Sequence, residues 1–134
     1  LGATAVVDAG GEDVVAAVKR WAGKDGVSSS FETSGTPAAQ AASVDVTGRG
    51  GDIAFVGFGS GGPSITPAEF IVKQLNLMGS FVFPIDAYYP MLDFVRSEKV
   101  PLEATITHTV PLADAPEILP AFDRGETGKV ILVP

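Results

Sequence analysis

Two rhythms of apolar and polar positions alternate along this chain, and the switches between them predict its elements. Residues 3–9, ATAVVDA, are apolar and β-branched over a strand's length and stop at Asp8, Gly10 and Gly11, which predicts a buried strand. EDVVAAVKRWAG follows with Val14, Val15, Val18 and Trp21 at helical spacing, acids at its start, Lys19 and Arg20 late and Gly23 as its stop. That pattern predicts an amphipathic helix with Trp21 in the core. GVSSSFETSG predicts a second strand ending near Glu32, after which Thr36 caps and Pro37 opens a small-residue helix to about Val46. GDIAFVGF predicts a third strand, the most apolar of the set.

Thr66, Pro67 and Glu69 form a capping box with proline at the first helical position, so a short helix is expected through about Lys73. LNLMGSFVF predicts a fourth strand, and DAYYPMLDFVRSEKV places Tyr88, Met91, Leu92 and Val95 on one helical face. Tyr88 and Tyr89 are expected as core and interface aromatics. The tail changes character near Pro101. EATITHTVPL alternates like a half-exposed strand, residues 114 to 124 predict a short helix interrupted by Pro120, and KVILVP closes as a strand. Strands alternating with helices over short connections predict an α/β fold, a parallel sheet covered by helices on its faces.

Length and charge narrow the function classes. A chain of 134 residues is long enough for one domain with a real core, which buries roughly two thirds of its unfolded surface. The net charge of −7 and the absence of a basic run exclude a polyanion-binding surface, so no nucleic-acid partner is expected. There is no cysteine and one histidine, His108, so neither a disulfide nor a cysteine metal site is available and no metal site is expected in the chain. His108 is expected as a surface or hydrogen-bonded residue, because no catalytic partner is spaced around it. No apolar run approaches the roughly 20 residues of a membrane span, and no signal-peptide pattern is present, so a cytoplasmic protein is expected. The chain opens on Leu1 and Gly2 rather than on Met, as expected of a piece of a longer polypeptide.

Gly57, Gly59 and Gly62 in FVGFGSGGPS have the G-x-G-x-x-G spacing of a dinucleotide-binding turn. In such a turn the last glycine opens a helix that aims its dipole at the pyrophosphate. Here Pro63, Ser64, Ile65 and Thr66 intervene, and the helix that follows spans about two turns. The stretch reads either as a loop after a buried strand, as a direct phosphate contact, or as a strand end lining a ligand without cradling phosphate.

Over the whole chain, the order and spacing of LGATAVVDA, FETSG, GGDIAFVGF, LNLMGSFVF and FDRGETGKVILVP resemble the C-terminal part of zinc-type medium-chain alcohol dehydrogenases. The resemblance implies a partial, Rossmann-like, doubly wound sheet over residues 1–100 and a strand–helix–strand tail of the catalytic domain over 101–134. It implies that the pyrophosphate-binding glycines, the ribose-binding acid and the zinc ligands lie upstream, so that GFGSGG is the loop after the fifth strand and no catalytic residue is carried here. It places Thr33, Ser34 and Gly35 near the adenosine, Val56, Gly57 and Phe58 beside the nicotinamide, and Ser80, Phe81 and Val82 against the carboxamide. Lys129 would meet the pyrophosphate as a point charge. The implied cofactor is NAD or NADP, with zinc in the parent enzyme, an alcohol or aldehyde as substrate, and a homo-oligomer paired near PSITPAEF. The alternatives are a stand-alone, non-enzymatic nucleotide- or phosphate-binding module and an oligomerisation segment. In the implied strand order 3-2-1-4-5-6, the runs at 4–7 and 27–32 are separated by two absent strands. Residues 4–7 should therefore pair with 27–32, pair with another copy, or lie across a two-strand gap.

Overall fold

The computed structural model describes residues 2–59 and 65–134 and divides into two compact units, Thr4–Phe83 and a second comprising Pro84–Pro134 with residues 2 and 3. In the first unit, α1 (Val14–Ala22) starts where the Asp13 carboxylate accepts the Ala16 amide at 3.0 Å, and it ends at Gly23. β1 (Val27–Glu32) then leads to α2 (Pro37–Val46), whose first turn is held by the Thr36 hydroxyl accepting from Ala39 N at 3.3 Å. β2 (Thr47–Phe55) follows directly. α3 (Pro67–Lys73) carries the expected capping box, with Thr66 N and Oγ1 both donating to Glu69 Oε2 at 2.7 and 3.0 Å. β3 (Asn76–Gly79) completes a three-stranded parallel sheet in the order β1-β2-β3. Each strand is joined to the next through a helix, the connection that parallel pairing requires.

The core of this unit is small. Ala17, Val44, Val46, Ile53 and Ala54 are its buried apolar side chains, with Glu32, Ser43 and Thr47 as buried polar ones. The polar members are satisfied: Thr47 Oγ1 donates to Ser43 O at 2.7 Å and meets Ser30 Oγ at 2.9 Å. Lys73 closes the bottom of the unit, its ammonium donating to the carbonyls of Val44, Asp45 and Thr47 at 2.7, 3.0 and 3.1 Å. A cation on the last carbonyls of α2 is favoured by the helix dipole.

Several expectations are corrected. Residues 4–7 form no strand: they pair with no described strand, and Val6 is 87% exposed. A strand is defined by its neighbours, and no described strand stands beside this run. Asp8 does stop it, folding into a turn in which Asp8 Oδ1 accepts Gly10 N at 2.9 Å. Trp21 is not core but 65% exposed, because its helix face looks onto an open cleft lined by Val7, Ala17, Val18 and Val27 rather than onto a packed layer. β3 stops at Gly79, four residues short of the expected end.

In the second unit, a 3₁₀ turn (Ile85–Ala87) leads into α4 (Tyr88–Ser97), and β4 (Ile106–Pro111), α5 (Ala115–Asp123) and β5 (Lys129–Val133) form a parallel β–α–β pair. α5 runs through Pro120 instead of breaking there. The proline forfeits one bond, to the Pro116 carbonyl, while Arg124 N still reaches Pro120 O at 3.2 Å and closes the last turn. No residue from Pro84 to Pro134 is buried. Tyr88 and Tyr89 are accordingly not core; they meet edge to face at 5.4 Å. The single real core expected from chain length is thus confined to the first unit. No helix among the described residues is long and apolar enough to cross a membrane.

Candidate functional site

Parallel strands deliver their C-terminal ends to one edge of the sheet, and nine of the ten candidate residues lie there. Thr33, Ser34 and Gly35 follow β1, Val56, Gly57 and Phe58 follow β2, and Ser80, Phe81 and Val82 follow β3. The tenth, Lys129, begins β5 on the second unit and is exposed. His108 is exposed on β4 with Nδ1 at 2.9 Å from the Thr107 hydroxyl, as a surface histidine should be.

The first two segments are packed backbone on backbone. Gly35 has φ +72°, and a Cβ there would come within 2.5 Å of Gly59 N; a Cβ on Gly57 would collide with Gly35 N, and one on Gly59 with Gly35 O. The left-handed φ and the close approach each demand glycine at 35. This answers the question of the glycine spacing for its described members: Gly57 and Gly59 are small because another chain segment lies against them. Gly62, the third glycine of that spacing, and the start of PSITPAEF lie outside the described residues.

The third segment is tied in by Ser80 N, which donates to Phe55 O at 2.8 Å, and by Phe81, whose ring centroid lies 6.3 Å from that of Phe58 at a 60° tilt. Phe58 is 93% and Phe81 80% exposed. Val82 sits at φ +55°, a conformation that strains a β-branched residue and that bends the chain out of the sheet. The edge therefore presents two aromatic faces and a valine above a rigid floor of backbone.

Glu32, whose place at a strand end leaves open in the sequence whether it meets a helix terminus or the crevice, builds this floor. Glu32 is 3% exposed, and its Oε1 accepts from Ser34 N and Ser34 Oγ at 2.6 Å each and from Gly35 N at 2.9 Å, while Oε2 lies 3.1 Å from Gly35 N. Burial pushes its carboxyl pKa up, but the Ser34 hydroxyl and the Gly35 and Ser34 amides outweigh it and hold the group below the ordinary glutamate value. Its backbone carbonyl accepts from Val56 N at 2.8 Å and Gly57 N at 3.0 Å. The signal was present in the sequence as an acid followed by serine at i+2 and glycine at i+3, the makings of a side-chain-closed turn.

Among the described residues, no group of three His, Cys, Asp or Glu side chains stands close enough to hold a metal ion. The chemistry offered by the edge is recognition: apolar contact from Phe58 and Phe81, and the exposed residues Thr33 and Ser34.

Comparison with known proteins gives this geometry its context. The family model for zinc-binding dehydrogenases matches residues 1–97. An L-threonine 3-dehydrogenase of Rhizobium etli is 31% identical over 133 residues, which are 98% of this chain and 38% of that protein. A 2-dehydro-3-deoxy-L-galactonate 5-dehydrogenase of Pseudoalteromonas atlantica is 30% identical over 121 residues, 90% of this chain and 36% of that protein. The chain thus spans less than two fifths of the length of these curated relatives. Among solved structures, a zinc-binding dehydrogenase of Sinorhizobium meliloti 1021 bound to NADP superposes with a TM-score of 0.85 at 26% identity, over 99% of this chain and 40% of that one. An alcohol dehydrogenase of Thermus sp. ATN1 superposes with a TM-score of 0.81 at 25% identity, over 95% of this chain and 37% of that one. A partial Rossmann-like sheet, a strand-end edge of this composition and these matches agree, and the chain belongs to the zinc-binding dehydrogenase family.

Proposed function

We propose that this chain is the C-terminal part of an NAD(P)-dependent dehydrogenase acting on an alcohol or aldehyde, and that it supplies one wall of the cofactor site. The observation that carries this reading is the convergence of three strand-end segments at one edge of a parallel sheet, the place where doubly wound folds bind nucleotides. Residues 1–100 belong, in this reading, to the cofactor domain and 101–134 to the catalytic domain. The open outer edge of β1 and the cleft of about 790 Å³ beside it, lined by Val15, Phe31, Ala38, Ala39 and Ala42, support a further strand of the cofactor domain lying there. The nicotinamide cofactor supplies the hydride acceptor.

The chain's own residues bind and orient. Val56, Gly57 and Phe58 form the surface on which the nicotinamide ring lies, and the aromatic rings of Phe58 and Phe81 keep water from it. Thr33, Ser34 and Gly35 face the adenosine. Ser80, Phe81 and Val82 meet the carboxamide, with Val82 turned by its left-handed backbone so that main-chain groups are presented. Lys129 serves as a point charge for the pyrophosphate. Zinc finds no ligand set among these residues, so no step through a metal is assigned to this chain. A homo-oligomer paired near PSITPAEF belongs to the same reading, and the exposed Ile71 and Val72 on the adjoining α3 support it. A cytoplasmic location fits the same reading.

The test is made in the full-length enzyme carrying this segment. Val56→Glu should raise the dissociation constant for NADH or NADPH at least tenfold, whereas His108→Ala should leave it within twofold. Equal constants for the two variants would show that residues 56–58 do not line the site. The 134-residue chain by itself should reduce no cofactor with zinc and a panel of alcohols; protein-dependent reduction would overturn the assignment.

A further inference from the structure

We infer that Glu32 is the positioning residue of the cofactor wall, holding the Thr33–Gly35 turn and the Val56–Phe58 strand exit in one fixed arrangement. This inference rests on the reading that those two segments line a cofactor. Its physical basis is that one residue bonds to both: the carboxylate takes Ser34 N, Ser34 Oγ and Gly35 N, and the carbonyl takes Val56 N and Gly57 N. Neither segment can shift without breaking bonds to Glu32.

The chemistry of the group points the same way. Among the described residues no Lys, Arg or His pairs with this carboxylate, so its buried charge is stabilised by N–H and O–H donors alone. Burial alone would disfavour that charge, and the surrounding donors outweigh the cost. What a carboxylate does provide is acceptor capacity without any donor. A glutamine whose oxygen takes the Oε1 position would place its NH₂ at the Oε2 position, 3.1 Å from Gly35 N, which is itself a donor. The turn needs an acceptor-only partner, and it receives one that keeps the Gly35 backbone pressed on Gly57 and Gly59.

The arrangement also extends to α2. The Ser34 hydroxyl that donates to Glu32 accepts from Thr36 N at 3.2 Å and lies 3.1 Å from Thr36 Oγ1, which caps the helix through Ala39 N. Because Glu32 occupies the Ser34 and Gly35 amides, these donors are not open to a phosphate. The adenosine side of the wall therefore recognises its ligand by shape and by the remaining hydroxyls rather than by an anion nest.

Amide hydrogen exchange on the cofactor-free full-length enzyme tests the coupling. In Glu32→Gln, exchange at Ser34, Gly35, Val56 and Gly57 should accelerate at least tenfold together, while Ile53 and Ala54 in β2 stay within twofold of wild type. Acceleration confined to Ser34 and Gly35 would overturn the coupling. If Glu32→Gln also loses protection at Ile53, Ser34→Ala replaces it; that variant removes the hydroxyl's 2.6 Å bond to Glu32 together with its contacts to Thr36, leaves the Ser34 and Gly35 amide bonds in place and should reproduce the joint acceleration at smaller amplitude, and unaltered exchange at Gly57 would again overturn the inference.

A second arm uses the full-length enzyme, where Glu32→Gln should raise the KM for the nicotinamide cofactor at least tenfold and lower kcat at saturating cofactor much less. Joint acceleration of exchange with an unchanged cofactor KM would leave the coupling standing and sink the cofactor reading. A raised KM without coupled exchange would sink the positioning role and leave the cofactor reading intact.

Discussion

Thr4–Phe83 and Pro84–Pro134 are built from the same kinds of element, yet every buried side chain of the described residues belongs to the first. Both contain helices and parallel strands joined through a helix. In the first, Ile53 is fully enclosed and Val44 is 1% exposed; in the second, Leu112, Leu119 and Phe122 are more than half exposed. The difference teaches that local sequence suffices to shape helices and strands, whereas burial needs a second layer. The two strands and two helices of the second region do not supply one for themselves. Under the proposed function the covering layer of Pro84–Pro134 is the remainder of the dehydrogenase.

The sharpest way to break this contrast is to truncate one residue in each region. Ile53→Ala removes a fully enclosed side chain and should lower the unfolding free energy by about 2–5 kcal/mol, the range for buried truncations. Leu119→Ala, at a position 54% exposed, should cost under about 1 kcal/mol. Urea unfolding of the two variants checks the difference; equal losses would mean that the second region carries a core of its own.

Glycine substitutions sharpen the picture within the first region. A Cβ at Gly57 meets the Gly35 and Ser34 backbone, whereas a Cβ at Gly79 meets nothing within 4 Å. Gly57→Ala should therefore cost about 1–3 kcal/mol, as overpacking does, and Gly79→Ala should be close to neutral. Thermal melts of both variants decide whether the strand-end edge is as tightly packed as its geometry requires.

Acid should act on Glu32 before it acts on the apolar core. The folded-state pKa of this carboxyl is depressed, so its contribution to stability is complete above the unfolded value of about 4.3 and is lost as the pH falls through the lower folded value. Wild type should lose stability below about pH 4.3 more steeply than Glu32→Gln does. Parallel pH profiles would show that the donors around this carboxylate do not favour its charged form.

Much of the fold was legible because its signals are local. Thr36 before Pro37, and Thr66 with Glu69, announce helix starts through bonds that span three residues, and both are present as read. What was not legible depends on surfaces distant in sequence. The run at 4–7 has a strand's composition without a strand's neighbours, and Trp21 has a core residue's spacing on a helix face that nothing covers. Pro120 shows the reverse failure, a local breaker overridden because a nine-residue helix tolerates one lost bond. At the candidate site, the strand-end positions followed from the family resemblance, but the hub at Glu32 did not. Its role comes from Val56 and Gly57, which are more than twenty residues away and reach it only once β1 and β2 are paired.

The smallest expected effect concerns Val82, where the two regions are about to join. Its φ of +55° places a β-branched side chain in the left-handed region, where Cβ crowds the carbonyl oxygen at a cost of roughly 1–2 kcal/mol. Val82→Gly removes that strain. It also frees the unfolded chain, which offsets the gain by about 0.5–1 kcal/mol, and it gives up little packing because Val82 is 68% exposed. The net change should be a stabilisation of at most about 1 kcal/mol, visible as a small rise in the melting temperature. In the full-length enzyme the same substitution should weaken cofactor binding, since a glycine no longer fixes the direction of the Ser80–Val82 backbone. A variant that is both less stable and unchanged in cofactor affinity would show that the left-handed turn is neither strained nor aimed at a ligand.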